Sequence, residues 1–341
     1  MIAGHRPTRL SSGALVIGLG ILLAAMVAGV LIGPADLTFT DIVGAIGERL
    51  GRPAAITDAQ RAILWEIRLP RVVLGGLVGG MLGLAGASYQ GAFRNPLADP
   101  YLLGVAAGAG LGATLVIVAV GPVSTLVPIA AFLGAMAGVG ATYVLGYSAR
   151  AGRSAATLIL SGVAIAAFLT ALQTFVQQRN ADSLRAVYTW ILGRLSTVGW
   201  HEVLLSLPYI SVASVVLILA RRHLDVLALG DEEAGTLGLK VSTVRGVVIV
   251  AASLGTAAAV AVSGLIGFVG IIVPHTIRLV VGTSYRLVLP LSFILGAAFL
   301  VAADILARSA AAPTELPIGV VTAFFGAPFF AVVLRTSREA R

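Results

Sequence analysis

Long apolar runs, parted by short polar stretches, set the pattern of this chain. Residues 10–35, 72–93, 154–178, 203–220 and 316–334 are each apolar enough for one membrane crossing, since a spanning helix needs roughly 20 mostly apolar residues. Residues 100–149 carry no charge at all and are long enough for two crossings, with Gly121-Pro122 as the natural break. Residues 246–277 and 287–303 supply the rest. The pattern predicts an all-α bundle of about ten transmembrane helices, the spans near 98–119 and 268–282 having the least sharp bounds. No polar linker or soluble module interrupts it, so residues 1–341 read as a single transmembrane domain.

Composition strengthens this reading. The chain is 58% hydrophobic and 11% charged, with a mean hydropathy of +1.00, where soluble domains carry about 25% charge. The first apolar run reads as a retained anchor, because it exceeds the usual apolar region of a signal peptide and lacks a small-x-small cleavage site. Cysteine is absent, which leaves no disulfide framework and no thiolate metal site.

The net charge of +8 does not point to nucleic acid, because the cations are scattered between helices. Topology explains them better. With both termini cytoplasmic and an even number of crossings, fourteen of the 23 Lys and Arg residues fall inside and nine outside, as the positive-inside rule expects. Glycine spacing adds a packing signal. Gly76, Gly79, Gly83 and Gly86 recur at steps of three or four, placing them on one helix face where backbones approach closely.

Several chemistries are missing. A P-loop needs G-x-x-x-x-G-K-[ST], and the one lysine, Lys240, is followed by Val241. The four histidines have no metal-ligand spacing, and no pair of carboxylates is arranged for acid–base work. An enzyme, a metal site and a cofactor bound by this chain are therefore not expected. Ion-coupled carriers keep ionisable residues at mid-membrane; here Asp304 and Glu315 lie near helix ends. The energy for any transport should come from a partner.

Three segments suit partners. In "LALGDEEAGTLGLK" (227–240), Gly230 and Gly238 bracket a short polar stretch with helix-compatible residues, which reads either as a small cytoplasmic lever or as an ordinary amphipathic loop. In "EIRLPRVVLGG" (66–76), Arg68 and Arg71 stand at a helix entry on the outer side, and Arg308 lies at the outer end of a later crossing. Arginine forks suit carboxylates, so the three could receive an acidic partner, though arginines there also snorkel to headgroups. In "FRNPLADPYLLGVAAGAGLGA" (93–113), Asn95 and Asp99 each precede a proline. Asx followed by Pro is a helix-start signal, which predicts a turn and then a helix from Tyr101. The segment reads as a reversal at the inner surface or as a constriction that opens and shuts.

At these residues the chain resembles the permease subunits of type II ABC importers (FecCD-type), which carry ferric siderophores, haem or cobalamin. The likeness runs through "RLPR" (68–71), "NPLADPYLLGVAAGAGLGA", "ALGDEEAGTLGL", "SGLIGFVGIIVPHTIRL" (263–279) and "ELPIGVVTAFFGAPFF" (315–330). It implies a homodimer in a bacterial inner membrane with its pathway on the two-fold axis. It also implies two cytoplasmic ATP-binding cassette subunits that hold ATP and Mg, and a periplasmic or extracellular substrate-binding protein. Position by position, it implies docking by Arg68, Arg71 and Arg308, and an inner gate at Asn95 and Leu97. A second gate segment falls at Ser154 and Ala155; the family often has two hydroxyl residues there, so Ala155 departs from its pattern. Coupling to the ATPase falls to Gly230, Asp231, Glu232, Glu233, Ala234, Gly235, Leu237 and Gly238. Ferric siderophore is the broadest cargo class, with haem and cobalamin as alternatives. An ion-coupled carrier and a non-transporting scaffold are the rival readings from other classes.

Overall fold

A computed structural model describes residues 12–35, 37–51, 56–148, 155–195 and 197–339. All regular structure among them is helical. The first helix, α1 (Ser12–Leu31), is followed by two short ones, α2 (Phe39–Arg49) and α3 (Asp58–Ala62). A π-helical turn, Ile63–Arg68, then runs into α4 (Leu69–Phe93) without a break. The apolar series continues with α5 (Val105–Ala119), α6 (Leu126–Ser148) and α7 (Ala155–Arg179). Next come α8 (Leu184–Ile191), α9 (His201–Leu219), and two short polar helices, α10 (Arg221–Leu227) and α11 (Asp231–Thr236). The chain closes with α12 (Val241–Ser263), α13 (Val269–Val281), α14 (Tyr285–Ser309) and α15 (Ile318–Glu339).

Seven of these are long and apolar enough to cross a membrane, and three shorter apolar helices accompany them: α5, α13 and the 318–333 part of α15. The charge-free stretch splits into α5 and α6 around Gly121, as the sequence suggests, with Gly121 at φ 117°. The second span begins earlier than the hydropathy indicates, because α3 and the π-helical turn extend α4 backwards to Asp58.

Helix α4 is the axis of the bundle, with all but a few of its residues buried, whereas α1 and α7 turn mostly outward. Small residues explain its position. A Cβ on Gly79 or Gly83 would overlap the carbonyl oxygens of Gly296 and Ser292 on α14, and one on Gly86 would overlap that of Gly270 on α13. Gly108 and Gly112 of α5 meet α6 at Gly134 and Ala130 in the same way. Without a hydrophobic drive between helices in lipid, such backbone proximity is what holds them together.

One expectation is corrected. No helix starts at Tyr101: α5 begins at Val105 behind Gly104, which has φ 79°. Asn95 and Asp99 instead make Asx turns, each side chain accepting the N–H two residues on, from Leu97 at 3.0 Å and Tyr101 at 2.8 Å. A turn and a helix cap use the same acceptor, and here the turn geometry wins twice.

Candidate functional site

The polar chemistry gathers at the two ends of α4, which lie about 37 Å apart. At its first turn, Arg71 spans two carboxylates. Its Nε and Nη2 donate to Asp304 of α14 at 2.8 to 3.1 Å, and Nη1 and Nη2 donate to Glu315 at 2.7 and 2.9 Å. Arg308, one turn beyond Asp304, lies with its Nε 3.5 Å from that carboxylate and donates through Nη2 to Gly29 O. Arg68 donates to Val30 O and Leu31 O at 2.7 and 2.8 Å, and also to Ala35 O. It thereby supplies donors to carbonyls that the end of α1 leaves without helical partners.

The structure thus brings Arg68, Arg71 and Arg308 together but turns them inward: they are 3%, 7% and 3% exposed. The chain's own carboxylates and carbonyls already hold the forks that the sequence offers to an outside partner. Glu315 is the accessible member, and the Arg71 fork holds its carboxyl below the usual range. Beside it opens a cavity of about 200 Å³ lined by Arg71, Thr189, Arg194, Asp304, Glu315 and Pro317.

The other end of α4 carries a looser cluster. Helix α11 stands between Gly230 at φ 132° and Gly238 at φ 82°, conformations that glycine adopts without penalty. Asp231 opens it and accepts Arg245 Nη2 at 2.8 and 3.1 Å. Arg245, buried on α12, also donates Nε to Ala92 O at 2.8 Å, in the last turn of α4. Arg94, left-handed at φ 49°, ends α4 and lies 3.9 Å from Asp231. The hydrogen bonds from Arg245 keep the Asp231 carboxyl below its ordinary pKa. Glu232, Glu233, Gly235 and Leu237 are exposed, and Ala234 packs inward.

Residues 95–104 leave this cluster without helical structure and are anchored deeper in the bundle. The Tyr101 hydroxyl donates to Ile266 O at 2.9 Å and accepts Ile266 N–H at 3.0 Å. Gln90 donates Nε2 to Gly270 O at 2.9 Å and to Ala98 O at 3.3 Å, while Arg278 donates to its Oε1. Two non-helical stretches, 94–104 and 264–268, are therefore stitched to one another. Irregular backbone at membrane depth persists where protein satisfies it in this way. Leu97 is 40% exposed and Asn95 half-buried. Ala155 opens α7 half-buried against the core, and Ser154 lies outside the described residues.

Reading the sequence missed Asp304, Glu315, Arg245, Gln90 and Tyr101 as parts of these clusters. The Asp304–Arg308 spacing of four was the available signal for the first; nothing local marks the others. Among the described residues, no group of three or more His, Asp or Glu side chains could hold a metal.

Residues 21–336 match the model of the FecCD transport family. The chain is 44% identical over 287 residues to the cobalamin import system permease protein BtuC of Halobacterium salinarum, covering 84% of this chain and 76% of that one. It is 38% identical over 290 residues to the hemin transport system permease protein HmuU of Yersinia pestis, covering 83% and 86%. Its fold matches that of a metal-chelate type ABC transporter solved in an inward-facing conformation, with a TM-score of 0.82, 28% identity, and coverage of 95% and 99%. With the small-residue bundle and the two charged ends of α4, this match along almost the whole chain shows that the protein belongs to the FecCD transport family.

Proposed function

We propose that this chain is the permease subunit of an ABC importer that carries a bulky metal chelate inward across a bacterial inner membrane. The observation that carries this reading is the match to transport permeases over 21–336, joined to a short acidic helix between glycine turns at one pole of the bundle. In this reading the seven long and three short apolar helices make ten crossings of one permease domain, with both termini cytoplasmic. Two copies pair around the pathway. Two ATPase subunits, holding ATP and Mg, grip α11 of each copy, and a binding protein docks at the Arg71 end. Its acidic residue competes with Glu315 for the Arg71 fork. Leu97 and Asn95, with Ser154 and Ala155, line the gate.

Ferric siderophore is the broadest cargo class. A relative at 44% identity is named for cobalamin, so cobalamin is offered in the test beside ferric siderophore and haem. The test is reconstitution in liposomes with the ATPase and binding protein, each chelate offered in turn. ATP-dependent uptake of one of them supports the proposal. Uptake by this subunit alone would establish an ion-coupled carrier instead.

A further inference from the structure

The cytoplasmic pole in this reading contains a feature that the coupling helix alone does not explain. Arg245 holds two elements at once, Ala92 O in the last turn of α4 and Asp231 at the first position of α11. Arg94, the residue just before Asn95, reaches toward the same carboxylate. Beyond it, residues 98–101 are fastened to the 264–270 region through Gln90 and Tyr101. Residues 94–97 lack such bonds to 264–270: Asn95 N–H stays on α4 through Gln90 O at 3.1 Å, and the Arg94 side chain approaches Asp231 of α11 at 3.9 Å.

We propose that Asp231, Arg245 and Arg94 form an ionic relay that passes displacement of α11 to residues 95–97. The inference rests on the reading of α11 as the element an ATPase subunit grips. Gly230 and Gly238 let α11 tilt as a unit, since their backbone conformations cost glycine little. Leu229 and Leu237, 61% and 66% exposed beside its ends, give a partner apolar purchase. The Asp231 side chain is 45% exposed against 9% for Arg245, so water can take over the carboxylate when the pair opens, while the guanidinium stays in the protein. The Asp231 contacts can thus be remade as α11 moves, while the buried bond from Arg245 to Ala92 keeps the relay seated on α4. The three are positioning residues: they act on the gate through the chain and touch no cargo.

The test uses the permease assembled with its ATPase subunits, in nanodiscs for thiol labelling and in liposomes with the binding protein for uptake. The chain has no cysteine, so Leu97→Cys gives one thiol in the permease, probed with a water-soluble maleimide, with and without Mg-ATP. In this background the labelling rate should change on adding ATP. Arg245→Lys, on α12, should still assemble with the ATPase but lose that response, as should whatever fraction of Asp231→Asn assembles, and uptake per ATP hydrolysed should fall about tenfold in the assembled complexes. Asp231→Glu, which keeps the charge, should retain both. The relay is overturned if labelling in Asp231→Asn and Arg245→Lys responds to ATP as before. It is equally overturned if uptake and hydrolysis fall in proportion, because a purely structural pair would do that. Failure of the background protein itself to respond to ATP or to bind the ATPase overturns the importer reading instead.

Discussion

The two ends of α4 use the same ingredients, arginines and aspartates, to opposite effect. At the Arg71 end, Arg71 and Asp304 have side chains 9% and 4% exposed and share three hydrogen bonds, with Glu315 closing the fork. At the Arg94 end, Asp231 is half in water, and one partner, Arg94, stands 3.9 Å away. Burial makes the first cluster costly to break and the second easy to remake. One end is built as an anchor and the other as a joint.

The largest expected effect breaks the anchor. Asp304→Asn leaves Arg308 buried beside a neutral amide and strips charge from the Arg71 fork, and loss of one partner of a buried pair costs about 3–5 kcal/mol. Denaturation of the solubilised protein should show this as a large loss of stability; an unchanged midpoint would show that the anchor is not structural. Next comes the packing that keeps both ends in register. Gly86→Leu drives a side chain into the Gly270 carbonyl and should cost about 1–3 kcal/mol, measured in the same way. Gly20, with no neighbour near its Cβ position, serves as the control for substitution.

Tyr101→Phe sharpens the contrast by loosening the stitch between the two non-helical stretches. It leaves the buried Ile266 N–H and C=O without their partner, at about 1–3 kcal/mol. Amide exchange should rise at Ile266 and not at α1. Asp231→Asn should lower global stability by about 1 kcal/mol, the upper end for a pair open to water, because Arg245 is buried while Asp231 is half exposed; this is well below the cost of Asp304→Asn, although it breaks a pair of similar length. If the two substitutions destabilise equally, the distinction between anchor and joint fails.

The smallest effect is with pH. Asp231 and Glu315 both have folded pKa values lowered, in each case chiefly by an arginine hydrogen bond. The unfolded state then takes up protons first, so their contribution is complete above the unfolded carboxylate value of about 4. It is lost as pH falls through the lower folded values. Melting should therefore be flat, as far as these two groups decide it, from neutral down to about pH 5. Asp231→Asn combined with Glu315→Gln should blunt the decline below that.

Much of this was legible along the chain. Spans show in the sequence because a membrane demands a run of apolar residues wherever a helix crosses. The Gly79–Gly83–Gly86 face shows because helical spacing makes neighbours of residues three and four apart. Gly230 and Gly238 marked the ends of α11 because glycine takes positive φ at little cost. The Asx-Pro steps were ambiguous, because one side-chain oxygen serves a turn and a cap equally well. Arg68, Arg71 and Arg308 stood out as a set, but nothing local told inward from outward.

The sequence by itself determined a helical chain with long apolar runs, the glycines that part or end several of them, and the absence of a P-loop motif. All of these follow from interactions between residues near one another along the chain. The tertiary structure alone decided which charges meet. Arg71 and Asp304 are 233 positions apart, Gln90 and Gly270 are 180 apart, and Tyr101 and Ile266 are 165 apart. Whether an arginine is a free hand or a closed one depends on what the folded bundle places beside it, since burial without a partner is what a charge cannot sustain.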